Sequence, residues 1–127
     1  MNLAALLVIP FEVPSQNSTE RRHWSGRAKE RKELGWRVTA ALPAGGCPHL
    51  GRKRFVEIVA YRAAWIRDAA NLVGGSKTLL DALVAVGVLR DDSTKWVEVS
   101  YDQGLYRRAG YDQPTTVIRI YDLAEET

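Results

Sequence analysis

The stretch R-D-A-A-N-L-V-G-G-S-K-T-L-L-D-A-L-V-A-V-G-V-L-R-D-D, from Arg67 to Asp92, holds the strongest clue to the fold. It opens and closes on acids: Asp68 comes first, Lys77 and Asp81 stand one helical turn apart, and Asp91-Asp92 follows the apolar run. Leu79, Leu80, Leu83, Val84 and Val86 recur with helical spacing and supply a buried face. Asn71 is suited to start the turn or helix, Gly74-Gly75 permits tight backbone near its beginning, and Gly87 is placed to end it. A helix followed by a turn is the shortest device that could bring the flanking acids to one cation.

Outward from this segment, Phe55 to Arg62 alternates, with Phe55, Glu57, Val59 and Tyr61 on one face and Val56, Ile58 and Ala60 on the other, so it reads as a strand. Lys95 to Tyr101 and Thr115 to Tyr121 alternate in the same way. The basic segment Gly104 to Gln113 between them, carrying Arg107 and Arg108, reads as a flexible hairpin arm. Toward the N-terminus, Ala4 to Val13 is an aliphatic strand that Pro10 marks as an edge or a break, because proline cannot donate to a ladder. From Trp24 to about Leu42 the pattern is helical, with Leu34, Val38, Ala41 and Leu42 on one face, before Pro43 and Ala44-Gly45-Gly46 stop it. The order β-α-β-α-β-β predicts an α/β (α+β) domain spanning 1–127: a mixed sheet of about four strands packed against two helices.

Length and composition agree with a single core, for 127 residues are enough to bury it and the 46% hydrophobic and 26% charged fractions are ordinary for a globular chain. The longest apolar run, Leu3 to Phe11, is far too short for a membrane span, so no membrane association is expected. A single Cys47 excludes an internal disulfide and suits a cytoplasmic setting. The net charge is only +3, but Arg21, Arg22, Arg27, Lys29, Arg31, Lys32 and Arg37 place seven of the 18 basic residues in one short segment. That concentration suits either a phosphate backbone or a solvated helix face. His49, alone in its loop, has no second histidine at ligand spacing.

The acids admit two readings. Oxygen-only ligands favour Mg²⁺ or Mn²⁺, which bind one or two carboxylates together with phosphate and water, and Lys77 could neutralise charge on a phosphoryl group. Alternatively Asp81 pairs with Lys77 at i, i+4, and Asp91-Asp92 merely forms a turn.

The segments R-D-A-A-N-L, K-T-L-L-D-A-L and G-V-L-R-D-D together resemble the signature of the RusA-like endodeoxyribonucleases, in which D-x-D-N precedes a helix bearing K and D-A-L, followed by G and D-D. P-S-Q-N-S-T-E-R-R-H-W and S-T-K-W-V-E-V-S-Y are similar to phage-type members, so the likeness covers most of the chain from Pro14 onward. The resemblance implies a Holliday-junction resolvase: a Mg²⁺-dependent (or Mn²⁺-dependent) homodimer, without a small-molecule cofactor, that nicks four-way or other branched DNA. It implies catalytic roles for Asp68, Lys77 and Asp92, metal binding by Asp68, Asp92 and Asp91, and support from Asn71 and Asp81. Arg21, Arg22, Arg27, Lys29, Arg31, Lys32, Arg107 and Arg108 are the expected DNA contacts. One departure stands out, since Ala70 occupies the place of the second aspartate of D-x-D-N. The expected function is therefore an impaired endonuclease or, alternatively, a non-catalytic branched-DNA-binding protein on the same fold. In either case Asp68 and Asp92 are expected to face each other across a small cleft.

Overall fold

The computed structural model describes residues 1–15 and 24–123, with the side chains of 24–27 left aside. Its elements run β1 (Asn2–Ile9), α1 (Trp24–Ala41), β2 (Arg54–Arg62), α2 (Ala69–Gly75), α3 (Lys77–Ala85), β3 (Val97–Leu105) and β4 (Thr115–Asp122). The four strands form one mixed sheet in the order β1-β4-β2-β3. β4 runs antiparallel to both β1 and β2, whereas β2 and β3 are parallel, from Arg54 opposite Val97 to Arg62 opposite Leu105. The expected α+β architecture is thus present.

Alternation decides which strand face is buried. Ala5, Leu7 and Ile9 of β1, Val56 and Ile58 of β2, Val97 of β3, and Ile118 and Ile120 of β4 meet Leu34 and Val38 of α1 and Leu79, Leu80 and Leu83 of α3. Both helices therefore cover the same side of the sheet. On the opposite side Leu3, Leu6 and Val8 are exposed, beside the Glu57–Arg119 ion pair at 3.0 Å. A smaller cluster of Val13, Ala60, Ile66 and Leu72 closes the end of the sheet where β2 finishes.

β1 is an edge strand, as Pro10 implies, but it stops at Ile9 rather than continuing to Val13. Pro10 has no amide hydrogen for the ladder, and the chain turns at once, Phe11 N donating to Ile9 O at 2.8 Å.

The second helix is divided. Asp68, not Asn71, is its N-cap: the carboxylate accepts from Ala70 N at 2.9 Å, while Asn71 lies within α2. Ser76 interrupts the helix, its hydroxyl and amide both donating to Leu72 O. Gly74-Gly75 accordingly closes α2 instead of opening one long helix. Gly75 is there because a Cβ would stand 1.7 Å from Pro14 O, so only glycine lets the β1 exit pack on this turn. At the other end α3 finishes in a Schellman motif: Val88 N donates to Leu83 O, Gly87 N donates to Val84 O, and Gly87 has φ +85°.

The segment after β3 is not a hairpin arm. β4 pairs on the far side of β2 from β3, so residues 106–114 cross over the end of β2. They form an ordered knuckle in which Tyr106 N donates to Arg62 O, Tyr111 N to Tyr106 O and Gly110 N to Arg107 O, with Gly110 at φ +89°. Tyr111 packs on Tyr61 with ring centroids 5.1 Å apart.

Candidate functional site: two ends of a parallel strand pair

Because β2 and β3 are parallel, the segment between them leaves one end of the sheet and re-enters at the other. Ile66, two residues before Asp68, is held by the Gln103 amide through bonds of 2.9 and 2.8 Å near the end of β3. Asp92 lies just before the start of β3, where Ser93 O accepts from Trp96 N and Val97 N. From Val97 to Gln103 the strand rises about 20 Å. The expected cleft, with Asp68 and Asp92 of one chain facing a shared cation, is not formed. A magnesium ion needs oxygens about 2 Å away, and two carboxylates at opposite ends of a strand cannot both supply them. Among the described residues no group of three His, Cys, Asp or Glu side chains could hold a metal.

Asp68 and Lys77 share one end. Asp68 caps α2, and Lys77 is the exposed first residue of α3. Next to it Thr78 lines a hollow of about 460 Å³ with Glu12, Glu33, Arg37 and Arg62. Arg67, Lys77, Arg107 and Arg108 are exposed and make no ion pair among the described residues, and they share this end with the acids Asp68, Glu12 and Glu33. Ala70, exposed in the first turn of α2, stands two residues from Asp68.

The other end carries Asp91 and Asp92. Asp91 accepts from Ser93 N at 2.7 Å, an Asx turn that agrees with the plain turn reading, and Asp92 is exposed. Arg90 lies over the Trp96 ring at 4.2 Å and Lys95 at 5.3 Å. Arg52 and Lys53 are tied to Asp122 and Glu98. Asp81, half-buried on α3 between the two ends, makes no ion pair with Lys77.

Of the expected DNA contacts, Lys29, Arg31 and Lys32 are exposed on α1, Lys32 lying over Trp36 at 5.5 Å. Arg21, Arg22 and the side chain of Arg27 fall outside the described residues. His49 is a loop residue whose Nδ1 accepts from Gly51 N. Burial raises the Tyr101 hydroxyl above its ordinary pKa.

Two residues that the sequence reading passed over matter here. Arg54, 4% exposed, donates to Asp122 Oδ1, Cys47 O and Val88 O at 2.9, 2.7 and 2.9 Å, stapling the Asp92 end together. Trp65 stands exposed at the Asp68 end, within R-A-A-W-I-R, where an aromatic between arginines was the available signal. A comparison with models of known protein families finds no match, and a comparison with curated proteins finds none of significance. Among the described residues no helix is long and apolar enough to cross a membrane.

Proposed function

We propose that the chain is the scaffold of a Mg²⁺- or Mn²⁺-dependent endonuclease for four-way or other branched DNA, working as a homodimer whose metal sites are shared between protomers. The observation that carries this reading is the placement of Asp68 and Asp92 at opposite ends of the pair that borders the sheet. β3 is the terminal strand, and antiparallel pairing of β3 with β3 of a second copy reverses its direction about a two-fold axis. The Asp68 end of one protomer then adjoins the Asp92 end of the other, twice. Two equivalent sites match a junction that offers two equivalent strands.

Within such a site Asp68 and the second copy's Asp92 would hold the cation, with Asp91 beside it once released from its turn. Lys77, exposed at the Asp68 end and making no ion pair among the described residues, would neutralise phosphoryl charge. Asn71 and Asp81 flank these groups on α2 and α3. The metal, when bound, would activate water and stabilise the departing oxygen. Ala70 favours a second reading, a branched-DNA binder that does not cut, because a methyl group supplies no ligand where the resemblance calls for one.

Both readings require branched DNA to be preferred. In competition at equal length, a synthetic four-way junction should displace a linear duplex. If about four phosphates are neutralised, affinity should fall roughly a hundredfold between about 50 and about 200 mM salt. Equal affinity for the two DNAs would sink the junction reading.

A further inference from the structure

Trp65 is 57% exposed, and it belongs to a loop whose backbone is fixed on both sides. Ala63 N donates to Glu12 Oε2 at 2.9 Å, Ala64 O accepts from Arg62 Nη1 at 2.5 Å, and Ile66 N and O both bond the Gln103 amide. Three residues around the tryptophan are pinned while the indole is left in water. The other tryptophans with described side chains differ: Lys32 lies over Trp36, and Arg90 and Lys95 lie over Trp96. Trp65 makes no ring or cation contact among the described residues.

Several cations lie near it, with Glu12 and Asp68 the acids beside them. Arg67 follows two residues later, and Ala63 lines a hollow of about 380 Å³ with Tyr106, Arg107 and Arg108. The crossover knuckle that carries these arginines is tied to the tryptophan loop through Tyr106 N and Arg62 O at 3.0 Å. A large, pre-positioned π-face beside guanidinium groups that make no ion pair among the described residues, Arg107 lying over the Tyr106 ring and donating to its hydroxyl, suits a nucleobase that has left its stack, with its phosphates running over the arginines. Within a paired duplex the interior base faces are stacked on one another and closed to such a ring.

We propose that Trp65 is a stacking platform for an unpaired base, with Arg67, Arg107 and Arg108 holding the adjoining phosphates. This rests on the nucleic-acid part of the proposed function and not on cleavage. The test uses the full chain, fluorescently labelled oligothymidylate about ten nucleotides long, and a blunt duplex, with binding read by anisotropy. Trp65→Ala should weaken oligothymidylate binding roughly tenfold, with Trp65→Phe retaining most of it. Duplex binding and the melting temperature should stay unchanged in both variants. Replacing Arg107 and Arg108 by alanine should weaken both DNAs and reduce the single-strand salt slope by about 0.7 for each arginine.

If Trp65→Ala binds oligothymidylate as tightly as the parent, or loses both DNAs equally, the stacking platform is overturned. A junction preference that persists in that variant would leave the proposed function standing. Conversely, a parent chain indifferent to junctions whose oligothymidylate binding still depends on Trp65 would overturn the junction reading and support the platform.

Discussion

Replacing Arg54 with methionine should lower the unfolding free energy by about 3 kcal/mol, the cost of breaking a buried charge pair from one side. For a chain of this length that corresponds to roughly 10 °C in melting temperature. The guanidinium reaches three acceptors, joining the start of β2 to the Cys47 loop, the α3–β3 connection and the end of β4. Methionine fills comparable volume but donates nothing, leaving the Cys47 and Val88 carbonyls without this partner. Asp122, one-fifth exposed, can regain water, which keeps the loss near the lower end of such measurements. Urea unfolding with an unchanged m-value is the appropriate readout. A loss below about 1 kcal/mol would show that Arg54 is not the staple of this end.

The second large effect concerns position 70. Ala70→Asp adds a carboxylate two residues from Asp68 in the exposed first turn of α2, and the added charge should tighten Mg²⁺ binding by roughly tenfold. Metal-dependent nicking of a synthetic junction should appear in the same variant. In that background Lys77→Ala should slow nicking on the order of a hundredfold, as removal of a charge-stabilising donor does. Asp68→Asn separates two roles of one side chain, since asparagine caps a helix as well as aspartate but binds a hard cation poorly. Melting should therefore stay put while nicking is lost. If Ala70→Asp neither tightens metal binding nor nicks, the nuclease reading fails.

The strands were legible because alternation is a local property. Phe55 to Arg62 shows its two faces in the sequence, and the structure buries the one that carries Val56, Ile58 and Ala60. The order and direction of the strands are not local. Nothing in Val97 to Leu105 states that it pairs parallel to β2, nor that β4 will insert between β1 and β2, so adjacency in the chain suggested a hairpin. The same gap misplaced the acids, since bringing Asp68 and Asp92 of one chain together requires the chain to return to the end it left. Arg54, which immediately precedes the alternating run from Phe55, is buried because carbonyls and a carboxylate from other segments converge on it. Asp68 stands out in the sequence as the first acid of its segment, and the resemblance implies a metal ligand there. Its visible work is to cap α2.

Sharing of the site between protomers is the central claim, and mixing two inactive variants tests it most directly. Asp68→Asn and Asp92→Asn are each introduced into the Ala70→Asp background, co-refolded in equal amounts, and assayed for nicking of a four-way junction with Mg²⁺. Each variant alone should be inactive. In a mixed dimer of the proposed kind, one site collects both replacements while the other has its Asp68 and Asp92 intact, so nicking should return in the mixture. A mixture as inactive as its components, with mixed dimers shown to have formed, would contradict the shared site.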